Sequence, residues 1–167
     1  KILDTLKEKN VKATFFLVGD YAEKNPELVK RMISEGHTVG SHTQSHYSMP
    51  DLTAEEIAQE IGTLHDYVKK HFSYEMTELR PPMGEFSEFS LSETAKAGST
   101  TKLWSFAYRD WLTDDQPDPE YAKEKLIGAA HEGAIYLLHS VSATNAEVLG
   151  DVIDGIREKG FEFYELK

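Results

Sequence analysis

His42 and His46, in the run Ser41-His42-Thr43-Gln44-Ser45-His46, are spaced so that two imidazoles can share one divalent metal ion. Imidazole nitrogen suits zinc and its neighbours, and a four-residue spacing serves whether the segment is a helical turn or a tight loop. The pair alone equally fits surface or hydrogen-bonded core histidines, since the chain carries seven. Three downstream positions add further polar chemistry. Arg80 opens the rigid turn Arg80-Pro81-Pro82-Met83-Gly84, either as an exposed turn residue or as a guanidinium that orients a carboxylate. Asp110 precedes Trp111; it is either a loop aspartate beside a half-buried indole, or a carboxylate orienting a histidine while the indole walls an apolar pocket. His139 follows the apolar run Ala134-Ile135-Tyr136-Leu137-Leu138, where an imidazole is a satisfied core group or a general acid/base. His37, His65, His71 and His131 read as structural or solvated.

An alternation of helices and short apolar strands must position these groups. Residues 2–9 read as a helix, and Ala13 to Val18 as a buried strand ended by Gly19. Asn25-Pro26 opens a helix that Gly36 stops, and Thr38-Val39-Gly40 is a short strand before the histidines. Thr53 with Glu56 is a capping box opening a long helix, and Ser90 with Glu93 repeats the device. Lys102 to Phe106 is strand-like, Asp118-Pro119 opens a helix ending at Gly133, and 134–138 is a buried strand. Asn145 is expected to cap a last helix, ended by Gly160 before an alternating strand over 161–166.

This βα alternation predicts an α/β fold with a parallel sheet or barrel. His42, His46, Arg80, Asp110 and His139 fall at or just after predicted strand ends, the positions at which βα barrels build one shared site. The first helix has no strand before it, so the chain is expected to lack the segment that would close a barrel. Apolar edge surface is then expected near Phe15, Phe16 and Val39.

Composition narrows the function classes. A chain of 167 residues, 40% hydrophobic, suits one domain. A net charge of −11 argues against nucleic acid and anionic membrane surfaces as partners. Without cysteine, any metal is held by nitrogen and oxygen. No apolar run reaches membrane-spanning length, so no membrane insertion is expected within this chain.

Taken in order, Ser-His-Thr-x-x-His at 41–46, Arg-Pro-Pro-x-Gly at 80–84, Asp-Trp at 110–111 and Leu-x-His at 137–139 resemble the motifs of the polysaccharide deacetylases. These are the metal-dependent carbohydrate esterases of family 4, with the NodB-homology domain. The resemblance covers essentially the whole of 1–167 and implies a distorted (β/α) barrel of about seven strands. It implies that His42 and His46 ligate one divalent metal, zinc by default, with Co, Ni, Mn or Fe able to substitute. Arg80 would orient the catalytic carboxylate, Asp110 would tune His139, and His139 would be the general acid. Trp111 and Leu137 would wall the acetyl pocket, with Met83 and Phe86 as further substrate contacts.

The family's first motif, a Thr-Phe-Asp-Asp-like segment supplying the third ligand and the base, has no counterpart in 1–167. Neither role is therefore assigned, and the chain as it stands is expected to be a poor catalyst. Residues 80–88, 135–142 and 145–147 are most similar to the deacetylases that make muramic δ-lactam in spore peptidoglycan. The implied reaction is hydrolysis of the N-acetyl group of peptidoglycan N-acetylmuramic acid, with Arg109 or Lys102 meeting the lactyl carboxylate, in a bacterial envelope or extracellular setting. Chitin-like N-acetylglucosamine, acetyl-xylan, or an inactive glycan-binding homologue are the alternatives.

Overall fold

A computed structural model describes residues 1–166. In chain order the elements are α1 (Ile2–Glu8), β1 (Thr14–Leu17), α2 (Gly19–Lys24), α3 (Pro26–Ser34), β2 (Thr38–Ser41), α4 (Ala54–Phe72), β3 (Glu78–Leu79), α5 (Glu88–Lys96), β4 (Thr100–Thr101), α6 (Pro119–Gly128) and α7 (Ala143–Glu158). The chain divides into two compact units, residues 14–103 and residues 1–13 with 104 onward.

The 14–103 unit is a parallel sheet in the order β1-β2-β3-β4, so the expected α/β architecture is present. Parallel neighbours need crossovers, and α2–α3, α4 and α5 supply them. Register runs from Thr14 opposite Thr38 to Leu17 opposite Ser41, then Ser41 opposite Leu79. Gly40 sits within β2 because a Cβ there would lie closer than 3.0 Å to the Phe16 ring. Helix α4 begins as its capping box dictates: the Thr53 hydroxyl accepts from Glu56 N–H while the Glu56 carboxylate accepts from Thr53 N–H at 2.8 Å. Its stripe of Ile57, Ile61, Leu64 and Val68 recurs every three to four residues and is buried, with Ile57 and Ile61 packing on Met49 and Leu79.

Three local expectations change in this unit. Gly19 starts α2 instead of only ending a strand. The capping box of α5 is Ser87 with Ser90, not Ser90 with Glu93. The apolar edge expected at Val39 does not exist, because that side chain is 0% exposed. Phe15 and Phe16 are half-buried, Phe15 edge-on to His37 at 5.3 Å and Phe16 beneath the Arg80 guanidinium.

In the other unit, α7 lays Val148, Val152 and Ile156 against Ala122 and Leu126 of α6 and against Tyr108. Asp118 caps α6 as expected, accepting from Tyr121 N–H at 3.0 Å, but the helix stops at Gly128, short of Gly133. The strands expected over 102–106, 134–138 and 161–166 do not form ladders. Among the described residues of this unit there is one parallel bridge, Phe106 with Tyr136, supported by Leu137 N–H donating to Phe106 C=O at 2.9 Å. The apolar alternation is nevertheless used: Phe106, Tyr136, Leu138, Phe161 and Phe163 pack partly buried on the α6–α7 core. Alternation reports which side of a chain is buried, whereas a ladder also needs a partner in register.

Candidate active site

Parallel pairing sets the first group of side chains. His42 N–H donates to Leu17 C=O at 2.8 Å and Arg80 N–H to Ser41 C=O at 2.9 Å, so both residues emerge just past the strand ends. The His42 ring nitrogen Nδ1 lies 2.6 Å from Arg80 C=O. A carbonyl only accepts, so the proton is on Nδ1 and the basic lone pair is on Nε2.

Beyond His42 the backbone is a tight loop, not a helical turn. Thr43 and His46 hold left-handed φ values of 66° and 60°, unfavourable for residues with a Cβ. A set of hydrogen bonds maintains them. Thr43 N–H donates to the Ser41 hydroxyl and His46 N–H to the Thr43 hydroxyl, both at 3.1 Å. Helix α4 grips the loop through Glu60, whose backbone carbonyl accepts from Gln44 N–H at 3.0 Å and whose carboxylate accepts from Ser45 N–H at 2.7 Å. Gly19 lies so near that a Cβ would enter the Gln44 amide closer than 3.0 Å.

The result is a His42–His46 pair with ring centroids 4.8 Å apart and planes crossed at 77°. Two imidazoles bound to one tetrahedral ion at metal–nitrogen distances near 2.0 Å place their centres about 5 Å apart, so the pair fits a divalent metal. Among the described residues no group of three or more His, Asp and Glu side chains is disposed to hold one, so the pair amounts to two ligands.

Arg80 is buried, its guanidinium 4.3 Å from the centre of the Phe16 ring. Burial pulls it down to about 10, against the opposing pull of the Glu78 carboxylate, and it stays cationic at neutral pH. Met83 and Phe86 follow on the surface, Met83 with a left-handed φ of 57°. Lys102 is largely buried, its ammonium 3.7 Å from the Glu78 carboxylate. Arg109 is exposed and paired with Asp115.

Asp110, Trp111, Leu137 and His139 all belong to the other unit. Asp110 is 0% exposed, and its two oxygens are fully used. Oδ1 lies 2.6 Å from His139 Nδ1; Oδ2 accepts from His139 N–H at 2.7 Å and from the Asn145 amide at 2.6 Å. The His139 ring stays half exposed, with the 50%-exposed Trp111 indole edge-on at 5.7 Å. Leu137, half-buried, holds its backbone against Phe106. The arrangement is a solvent-reaching imidazole fixed at Nδ1 by a buried carboxylate, able to carry a proton at Nε2.

Two members of this group escape the sequence reading. Asn145 does not cap α7; Ser142 does, its hydroxyl accepting from Asn145 N–H at 3.0 Å. The Asn145 side chain is 3% exposed and binds Asp110 instead. Tyr108 donates its hydroxyl to the Asn145 carbonyl. Burial, and secondarily the Asp110 charge, push the Tyr108 phenol up to about 12. Alternation could have pointed to Tyr108, since 106, 108 and 110 turn inward while 107, 109 and 111 face out.

A family model described as polysaccharide deacetylase matches residues 1–101. The chain belongs to the polysaccharide deacetylase family. This deacetylase-family chain is 42% identical over 164 residues to the peptidoglycan-N-acetylmuramic acid deacetylase PdaA of Bacillus subtilis, covering 98% of itself and 62% of that protein. It is 32% identical to a peptidoglycan-N-acetylglucosamine deacetylase of Bacillus cereus, covering 99% of itself and 61% of that protein. The structure of Bacillus subtilis PdaA, a family 4 carbohydrate esterase, superposes with a TM-score of 0.94 at 41% identity over 98% of this chain and 70% of that one. A family 4 pseudoenzyme of Bacillus anthracis superposes at 0.91 with 26% identity, over 99% of this chain and 57% of that one. The chain thus spans about three fifths of the length of these two curated relatives.

Proposed function

We propose that this protein hydrolyses the N-acetyl group of a glycan, with the N-acetylmuramic acid of peptidoglycan as substrate. The observation that carries the reading is 42% identity over 98% of the chain to a protein named for that activity. On this reading the chain belongs to one NodB-homology domain, at work in the bacterial envelope or outside the cell. Among the described residues no helix is long and apolar enough to cross a membrane.

His42 and His46 hold one divalent metal, zinc by default; the fixed His42 tautomer and the spacing of the rings support this. A metal held there supplies Lewis acidity toward the acetyl carbonyl and makes water nucleophilic at neutral pH. Arg80 supplies a buried cation suited to orient a catalytic carboxylate, and no residue of 1–167 is assigned as that base. His139 delivers a proton from Nε2 to the departing amine, which would otherwise be a very poor leaving group. Asp110 keeps its ring in the required tautomer. Trp111 and Leu137 wall the acetyl methyl, Met83 and Phe86 meet the sugar, and Arg109 exchanges Asp115 for the lactyl carboxylate.

The absence of a third metal-ligand candidate among the described residues, with the likeness to a family 4 pseudoenzyme, favours a second reading: a glycan-binding homologue without turnover. One experiment separates them. Zinc content, peptidoglycan binding, and acetate release from amidase-stripped peptidoglycan and from chitooligosaccharide are measured for the protein and for its His42→Ala/His46→Ala variant. The hydrolase reading expects both quantities to fall in the variant. Equal zinc in the two overturns the metal assignment, peptidoglycan binding without acetate release establishes the second reading, and release from chitooligosaccharide alone overturns the substrate.

A further inference from the structure

We infer that Asn145 is a positioning residue: its carboxamide fixes the rotation of the Asp110 carboxylate and through it holds the His139 proton on Nδ1. The inference deepens the assignment of His139 as the acid and rests on that reading for its catalytic meaning. Its geometry stands on residues 108–145 alone.

The direction of every hydrogen bond in the group follows from one fact. An ionised carboxylate only accepts, so Asn145 must turn its Nδ2 toward Asp110 Oδ2, 2.6 Å away. Its Oδ1 therefore faces the Tyr108 hydroxyl, which must donate. Burial keeps that phenol protonated. Asp110 Oδ1 is left for His139 Nδ1, which must donate in turn. The series is polar from end to end and converges on Asp110, with Tyr108 donating through Asn145 from one side and His139 donating from the other.

Asn145 is not spent on its helix. It occupies the first turn of α7, where a polar side chain often reaches back to the cap, but Ser142 supplies the cap here and accepts from the Asn145 backbone. Besides Asp110 and Tyr108, its side chain reaches His139 C=O, at 3.4 Å from Nδ2. One 3%-exposed amide thus ties the carboxylate, the backbone of the acid and the tyrosine together. The ground it stands on is itself braced, since the Ser142 hydroxyl donates to Gln116 Oε1 at 2.8 Å and Thr144 N–H to the same oxygen at 3.3 Å. Without the amide, Oδ2 of a fully enclosed carboxylate keeps only the His139 backbone donor, and the carboxylate loses one of the two bonds that fix its rotation against the ring.

The test uses the protein labelled with ¹⁵N-histidine, the His139 ring signals being assigned through His139→Gln. The wild type should show a slowly exchanging Nδ1 proton. Asn145→Leu, close in volume and without polar atoms, should exchange that proton roughly ten-fold faster or more, the scale of one hydrogen bond to a charged group, and should populate the Nε2–H tautomer. Tyr108→Phe should move both signals the same way by less, because the amide still reaches Asp110 but has lost its lock. An unchanged exchange rate and tautomer in folded Asn145→Leu overturns the inference; should that variant fail to fold, unchanged signals in Tyr108→Phe overturn it alone. Acetate release supplies the second arm, with kcat expected to fall and KM to hold. A fall in kcat without any change at the His139 ring also overturns the inference. No turnover by the wild type would remove the deacetylase reading while the ring signals still decide the positioning.

Discussion

Asp110→Asn is the substitution whose consequence the geometry dictates most tightly. The aspartate accepts three hydrogen bonds while 0% exposed: the His139 ring at 2.6 Å, the His139 backbone at 2.7 Å and the Asn145 amide at 2.6 Å. An asparagine in the same place has one oxygen and one NH₂. If the oxygen faces the ring, the NH₂ confronts two donors. If the oxygen takes the Oδ2 place, both of those bonds survive and only the ring bond is left facing an NH₂, which His139 can meet by moving its proton from Nδ1 to Nε2. The second arrangement costs less, so the variant should fold with an inverted tautomer. Exchanging charge-assisted bonds of about 1.5–3 kcal/mol for neutral ones near 1 kcal/mol loses about 3 kcal/mol over the three, and removal of a buried charge offsets part of that, leaving about 1–3 kcal/mol. For a chain of this length that lowers Tm by roughly 3–10 °C. Differential scanning calorimetry reads the stability and ¹⁵N shifts of the His139 ring read the tautomer. An unchanged Tm with the proton still on Nδ1 would refute the hydrogen-bond assignment on which the argument rests.

Gly19→Ala should disturb the histidine loop from behind, since the added carbon would enter the Gln44 amide; a loss of about 1–3 kcal/mol in stability and weaker zinc binding are expected, and titration calorimetry showing wild-type affinity would count against it. Glu60→Ala removes the carboxylate that accepts from Ser45 N–H at 2.7 Å, which should cost about 1–3 kcal/mol and free the left-handed His46 to relax, checked by denaturant unfolding and zinc affinity together. Tyr108 predicts an alkaline limb. Its folded value of about 12 lies above the ordinary 10, so the folded state keeps a proton that the unfolded chain loses. Its contribution is complete below pH 10 and is shed as pH rises toward 12. Tyr108→Phe should therefore flatten the fall in stability between those values, and parallel curves would show that the phenol is not held as described.

How much of this was legible in the sequence depends on the range of the physics involved. The starts of α4 and α6 were, because a capping box and an Asp-Pro step are interactions within four residues. Strands β1 and β2 were, because each is a short strand-like run followed by a helix that forces a parallel crossover. Strands β3 and β4 are two residues each and carry no such run, and the fourth forms at 100–101 instead of the expected 102–106. Residues 134–138 and 161–166 were misread because their apolar pattern is satisfied by packing on α6 and α7, which needs no hydrogen-bonded neighbour. Asn145 was misread for a subtler reason. Ser142 and Asn145 are both good cap residues, and nothing within the segment says which of them faces the helix; Asp110, 35 positions away, decides it.

The two histidine environments also separate roles that the motifs alone leave tied to resemblance. His42 and His139 carry the same tautomer, each with a proton on Nδ1. The groups that hold them differ in charge. His42 leans on a neutral carbonyl, which orients the ring and leaves Nε2 as the lone-pair nitrogen that the proposed ligand role needs. His139 leans on a buried carboxylate, which orients the ring and compensates the positive charge that a proton donor must carry before it acts. Exchanging these surroundings would spoil both functions, since a carbonyl offers an imidazolium little compensation and a ligand that prefers its proton competes with the metal. The sequence differences that create the contrast are small. At 42 the strand register brings Arg80 C=O to the ring; at 139 an inward-facing position on an irregular segment brings Asp110 to it. Register in one unit and side-chain alternation in the other are thus sufficient to give one imidazole a neutral partner and the other a buried carboxylate, the contrast on which the proposed ligand and acid roles rest.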